Sequence, residues 1–294
     1  MAKILVLGGT RFFGVHMVRA LVTAGHEVTV ATRGNHPDPF GDSVCRLSLD
    51  RTDPGDVRAK LGGRQFDAVC DNIAYCSNDV RNVLSCVETE RYVLTSSGSV
   101  YPEERVGLAE SDFDPYAWPL VWAERDLDDY AGGKQGAEAA VFQEFASVPA
   151  VAVRFPYVIG PDDYTDRLYF YVRHVVQGIP MLIDNPDSKT GFIYAPLAGR
   201  ILASLAVDSH TGPVNAENKG FHTIREIVAG AERLSGKSAV LAAGGEDAPY
   251  NSGGDFVMDT SRLEGWGYEL PPLDGEWERL LSHYVERARS EQAV

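Results

Sequence analysis

Leu7-Gly8-Gly9-Thr10-Arg11-Phe12-Phe13-Gly14 stands between an apolar run at residues 3–7 and a segment over 14–24 whose apolar side chains recur at helical spacing. A second apolar run, 28–32, follows. Strand, tight turn, helix and strand within about 30 residues form a βαβ unit. Glycines at such a turn let the backbone bend sharply and approach a pyrophosphate, whose charge is met by the amides and dipole of the helix N-terminus. A tight turn with no ligand would use the same glycines, so the surrounding βαβ unit carries more weight than the glycine string.

Outward from this unit the alternation continues. Short apolar runs at 44–47, 68–70, 92–95 and 151–155 are separated by helical segments after Pro54, over 78–87 and around 130–145. This order predicts an α/β fold with a Rossmann-type, doubly wound parallel sheet in residues 1–155. Past residue 156 the pattern loosens. A helix is expected from a Thr165 cap to a Gly178 stop, and another from Pro196 through 207. Thr223-Ile224-Arg225-Glu226 has capping-box spacing ahead of an amphipathic stretch to residue 234. Two short strands flank a loop at 244–254, and a last helix covers 277–289. Residues 156–294 therefore read as a smaller substrate lobe, with about 195–215 packing back on the first domain.

The 294 residues carry 27 Lys and Arg against 42 Asp and Glu, a formal charge of −15, with 44% hydrophobic residues. That balance belongs to a folded globular chain and sets its field against nucleic acid and anionic membranes. Cysteines 45, 70, 76 and 86 form no CxxC pair and no zinc spacing, so reduced thiols are expected and no metal site. No stretch has the roughly 18 apolar residues of a membrane span and the N-terminus lacks a signal-peptide pattern, which places the chain in the cytoplasm. The seven histidines share no ligand spacing.

Tyr130-Ala131-Gly132-Gly133-Lys134 puts a phenol and an ammonium one turn apart on one helix face. A nearby ammonium favours tyrosinate and so brings a tyrosine within reach of acid–base work. Upstream, Tyr92 to Tyr101 reads as a buried strand ending in hydroxyls, Thr95-Ser96-Ser97-Gly98-Ser99. Gly132, Gly133 and Gly136 crowd the presumed helix against local propensity, a conflict expected where backbone passes close to a ligand or neighbouring element. A helix starting only near Gly136 would spoil the Tyr/Lys spacing. Glu138 reads as a partner of Lys134 or as a surface residue.

These residues resemble the extended and atypical short-chain dehydrogenase/reductase family, in its NAD-dependent epimerase/dehydratase type. Gly8 and Gly14 match the outer glycines of its GxxGxxG turn, while Arg11 takes the middle position, as in a branch carrying GGTRF. The resemblance implies cofactor contacts from Gly8, Thr10, Arg11, Phe12, Phe13 and Gly14. Where NAD-preferring relatives hold an Asp after the second strand, this chain reads Thr32-Arg33-Gly34, and Arg33 suits a 2′-phosphate. NADP(H) is therefore preferred over NAD(H), which stays open if Arg33 is a solvated loop residue. Asp50, with Arg51 beside it, matches the position that bonds the adenine amino group. Counting back from Tyr101, the family's SSxxVY signature puts the substrate-binding hydroxyl on Ser97, and Tyr130 and Lys134 complete the catalytic set, with Lys134 also holding the nicotinamide ribose. Pro156, in Arg154-Phe155-Pro156-Tyr157-Val158-Ile159-Gly160-Pro161, lies where family members run backbone past the nicotinamide.

Within that family, dehydratases and decarboxylases place carboxylates just after the serine, where this chain has Gly98 and Ser99. Reduction of a ketone on a sugar nucleotide or related metabolite is the expected reaction, with NAD-dependent sugar-nucleotide epimerisation as the alternative. Lys189 could meet a diphosphate, but the acidic pair that follows the F-x-Y-V segment in sugar-nucleotide members is absent. A silent NADP sensor or an RNA-binding protein would share the glycine turn; the first usually lacks YxxxK, and the second conflicts with the net charge. A small-molecule substrate, with neither nucleic acid nor membrane as partner and room for a homodimer, completes the expectation.

Overall fold

The structure is a computed structural model and describes residues 1–292 except 127 and 252. The βαβ unit forms as expected: β1 (Lys3–Leu7), α1 (Phe13–Thr23) and β2 (Glu27–Thr32). The chain goes on through β3 (Cys45–Ser48), α2 (Pro54–Leu61), β4 (Ala68–Asp71), α3 (Ser77–Leu84), β5 (Tyr92–Ser97), α4 (Tyr130–Ala139) and β6 (Ala150–Phe155). One seven-stranded sheet runs β7-β6-β5-β4-β1-β2-β3, where β7 is Gly212–Asn215, and every neighbouring pair is parallel. Strand order reverses at β1, which pairs β2 on one side and β4 on the other through Ile4, opposite Val28 and Ala68. Crevices at such a reversal are where α/β sheets bind ligands.

Helices cover both faces. Met17, Val18 and Leu21 of α1 and Leu197, Ile201 and Leu202 of α6 (Ala195–Leu205) bury one face, and Val57, Val80, Val83 and Val141 bury the other. This is why the central strands read as continuous apolar runs instead of alternating ones. Three further helices, α5 (Arg167–Gln177), α7 (Ile224–Ser235) and α8 (Asp274–Gln292), gather a second core around Tyr169, Tyr171, Ile227, Leu281 and Tyr284.

Departures from expectation are local. The N-cap of α5 is Asp166, not Thr165, in a left-handed conformation with φ +54°, while Gly178 stops the helix as foreseen at φ +68°. The capping box of α7 is complete, Thr223 N donating to Glu226 at 2.8 Å and Glu226 N to Thr223 Oγ1 at 3.2 Å. One short strand, Glu246–Asp247, lies inside the 244–254 loop, against Met181–Leu182. Beyond that loop, Val257–Met258 pairs with the 106–108 segment.

Glu138 pairs with neither Lys134 nor solvent. Its carboxylate is fully buried and accepts two bonds from Arg154, at 3.0 and 2.7 Å, and one from Ser96 Oγ at 2.5 Å. Arg154 also donates to the Tyr101 hydroxyl and to the carbonyls of Glu110 and Phe113, and Tyr101 donates to Asn215 at 2.6 Å. One ion pair thus ties α4 to β5, β6 and β7. Glu138→Ala leaves a buried guanidinium without its counter-ion, and urea unfolding should show a loss of about 3–5 kcal/mol. Glu138→Ala with Arg154→Met should recover much of that loss, since no orphan charge remains.

Candidate active site

The glycine turn is shaped by steric need. Gly8 has φ +76°, and a Cβ on Gly14 would stand 2.9 Å from the Gly8 carbonyl oxygen, so α1 can lie this close to the end of β1 only with glycine there. Asn72 at the end of β4 donates to the same carbonyl at 2.8 Å and fixes the reversal point. Phe12, a non-glycine residue at φ +52°, opens α1 with no side-chain cap and no acid in the first turn. The helix end is thus left open to an anion, and strain of this kind persists where surrounding structure and function hold it.

Gly8, Thr10, Arg11, Phe12, Phe13, Gly14, Arg33, Asp50 and Arg51 all line one groove of about 370 Å³ beside this turn. Their states differ. The Arg11 guanidinium lies 3.5 Å from the Tyr164 ring centroid, so Tyr164 covers it from the loop before α5. Arg33 is exposed and has no carboxylate partner among the described residues. Asp50 accepts from Thr52 Oγ1 at 2.6 Å and Thr52 N at 3.0 Å, and these bonds hold its carboxyl below the usual range. Arg51 is buried, donating to Asp71 at 2.5 Å and to the Asp79 carbonyl at 2.7 Å. Arg125 joins the cluster through Asp79, at 2.8 Å, and also lines the groove. Asp71, Asp79 and Arg125 belong to no motif, which is why the sequence does not single them out.

A larger cavity of about 800 Å³ adjoins the groove and shares Phe12, Phe13, Asn72, Tyr75 and Tyr164 with it. Ser97, Tyr130, Lys134 and Pro156 are all in its wall. Ser97 ends β5, and its Oγ accepts from Ser99 N at 3.1 Å to cap the following turn. Tyr130 is the first residue of α4, which Asp129 caps by accepting from Gly132 N at 2.9 Å. The helix can start here because of its glycines: a Cβ on Gly133 would overlap the Tyr75 carbonyl oxygen. One turn on, Lys134 Nζ is buried and donates to the carbonyls of Ala74 and Thr95, each at 2.8 Å. It lies 4.8 Å from the Tyr75 ring centroid and 5.7 Å from that of Tyr130.

Burial raises the Tyr130 phenol above its ordinary value, against a hydrogen bond with Ser97 and the charge of Arg167. The Tyr130 ring itself remains 38% exposed on the cavity side. Gly98, at a position where a dehydratase carboxylate would stand, could not bear a side chain without displacing Phe256, whose ring packs over it. Lys189 turns to the Phe221 ring, 5.3 Å away. The cavity also takes Tyr157 from the short strand Tyr157–Ile159, and Arg167, Tyr250 and Phe256 from later segments where no motif marks them. Among the described residues no group of three or more His, Cys, Asp or Glu could hold a metal, and no helix is long and apolar enough to cross a membrane.

Comparison with known proteins follows the same lines. Residues 4–85 match the sequence model of the NAD dependent epimerase/dehydratase family. The chain is 26% identical over 298 residues to the 2'-dehydrokanamycin reductase of Streptomyces kanamyceticus, covering 97% of this chain and 80% of the relative. It is 28% identical over 197 residues to the chloroplast stem-loop binding protein of 41 kDa b of Arabidopsis thaliana, across 62% of this chain and 49% of the relative, so it spans about half of that protein. The UDP-glucose 4-epimerase of Thermus thermophilus, solved in complex with NAD, superposes with a TM-score of 0.70 over 98% of this chain and 99% of its own, at 19% identity, and shares the fold.

Lys134 carries a stability signature. Burial brings its ammonium from the ordinary 10.5 down to about 8, with the nearby carboxylates Asp71, Asp79 and Glu138 opposing the shift. Between these values the unfolded chain holds the proton more tightly than the folded one, so the destabilisation is complete below pH 8 and is relieved as pH rises towards 10.5. In urea unfolding from pH 7 to about 10, the stability difference between wild type and Lys134→Met should move steadily in favour of wild type. A flat difference would mean an unshifted lysine.

Proposed function

We propose that this chain, a member of the NAD dependent epimerase/dehydratase family, is an NADPH-dependent reductase of a small ketone, with Ser97, Tyr130 and Lys134 as its catalytic residues. The observation that supports this most is that all three line one cavity of about 800 Å³ which opens onto the groove beside the glycine turn. The open end of α1 and the unpaired Arg11 and Arg33 fit a phosphorylated dinucleotide. A nicotinamide cofactor, when bound there, supplies the hydride.

The chain's own residues do the rest. The hydroxyls of Ser97 and Tyr130 hold the carbonyl oxygen of the substrate and orient it. Tyr130, kept protonated by burial, donates its proton to that oxygen as the carbon is reduced. The Lys134 ammonium stabilises the tyrosinate left behind, and the carbonyls of Ala74 and Thr95 keep it in place.

Stem-loop binding, named for the Arabidopsis relative, is opposed by 42 acidic residues against 27 basic ones, a charge balance unsuited to a nucleic-acid polyanion. Epimerisation would require an oxidised cofactor held through turnover; NAD released only on denaturing the purified protein would point that way.

Tyr130→Phe should lower ketone reduction by about 10² or more while NADPH binding, followed by fluorescence, is kept. Turnover at the wild-type rate would remove Tyr130 from the chemistry. Arg33→Ala should weaken NADPH by about tenfold or more and leave NADH nearly unchanged, as expected for the loss of one charge-assisted contact to a 2′-phosphate. Equal effects on both cofactors would count against the NADP preference.

A further inference from the structure

The cavity that holds Ser97 and Tyr130 also holds a guanidinium that the reduction itself does not use. Arg167 opens α5 and is half-buried in the cavity wall. Its Nε donates to Thr165 Oγ1 at 3.2 Å, and Thr165 Oγ1 in turn donates to Asp163 at 2.7 Å, so the side chain is oriented from behind. Its flat face packs 5.0 Å from the Tyr157 ring centroid. No carboxylate lies within 4 Å of it among the described residues, and neither terminal nitrogen has a protein partner there. An arginine anchored at Nε presents its two terminal nitrogens as a fork that matches a carboxylate or phosphate.

A second group points the same way. Tyr250 is 5% exposed, lines the same cavity, and its hydroxyl is buried with no partner. A buried hydroxyl without a partner costs free energy unless a ligand satisfies it. The Tyr250 ring lies 4.4 Å from the Tyr157 ring on which Arg167 packs, and the charge of Arg167 reaches the Tyr250 phenol. The acids nearby do not answer the charge. Asp163 is committed to Thr165 and is pushed towards its neutral form by burial. Glu104, in the same cavity wall, accepts from Gly254 N.

Resting on the reductase reading of this cavity, we infer that the substrate carries an anionic group, a carboxylate or a phosphate, which pairs with the Arg167 fork and takes a further hydrogen bond from the Tyr250 hydroxyl. Arg167 is then a specificity residue: it sets which ketones are held against Tyr130 and takes no part in proton transfer.

The test is equilibrium binding by calorimetry to the full chain saturated with oxidised cofactor. Three probes are used: 4-oxopentanoate, its methyl ester and dihydroxyacetone phosphate. Wild type should bind at least one of the two anions about 10- to 100-fold more tightly than the ester, the span expected of a charge-assisted hydrogen-bonded pair. The tighter anion identifies the group. Arg167→Gln should erase the preference, Arg167→Lys should restore part of it, and Tyr250→Phe should weaken the anion several-fold, with unchanged melting temperatures showing that the variants are folded. Equal binding of ester and anions by wild type, or a preference that survives Arg167→Gln, would overturn the inference. The reductase reading fails separately: Arg167-dependent anion binding with no reduction of any ketone, and no difference between wild type and Tyr130→Phe, would leave the anion site standing and remove only the chemistry.

Discussion

The Lys134 ammonium, lodged between the carbonyls of Ala74 and Thr95, is the contact on which the site depends. Those carbonyls follow β4 and lie near the end of β5, so one side chain of α4 ties the helix to the C-terminal ends of two adjacent strands. The tie requires α4 to come close to the 72–77 loop, and that requirement is why Gly133 lies against the Tyr75 carbonyl. Three glycines in a ten-residue helix are unfavourable by propensity. They are tolerated because the helix is held by Lys134 at one turn and by the Glu138–Arg154 pair at the next.

The same burial moves two ionisable groups in opposite directions. Removing water pushes the Lys134 ammonium down and the Tyr130 phenol up, so each is moved towards its neutral form. Asp71, Asp79, Arg51 and Arg125 build a second charged cluster between this centre and the glycine groove. It shapes the groove wall, and its acids add to the field around Lys134. Arg51, adjacent to Asp50 in sequence, is by this reasoning bound first to the protein, whatever a cofactor adds.

The order of strands and helices could be read from the chain because both its periodicities are physical. Strands buried on two faces, such as β1 and β5, read as unbroken apolar runs, and α7 declares itself by Thr223 and Glu226 at capping-box spacing. Gly8 and Gly14 follow from local geometry, since a turn that closes within eight residues requires them, whereas Arg33 and Asp50 are indicated only by the family resemblance. Less could be read where a role is set by partners distant in sequence. Glu138 meets Arg154 and Ser96 across three elements, and no spacing of four encodes that. Thr165 has the composition of a helix cap, yet it is drawn into bonds with Asp163 and Arg167, and Asp166 takes the cap position. Lys189 and Arg167 are equivalent in a composition table. Only the folded chain turns one onto Phe221 and the other into the cavity.

That last distinction changes how the net charge of −15 is to be understood. Many cations on the exterior find a carboxylate, among them Arg46, Arg105, Arg225, Arg233 and Arg287. Among the cations that line the two adjoining cavities, Arg11, Arg33, Lys134 and Arg167 lack one within 4 Å. Concave walls of low dielectric strengthen the field of charges left unpaired, while the acidic exterior repels anions elsewhere. A dinucleotide phosphate and an anionic ketone would thus be drawn to one track by the same arrangement. The acidic surface and the basic groove then act as a single electrostatic device, in which the surplus of carboxylates narrows where an anion can settle.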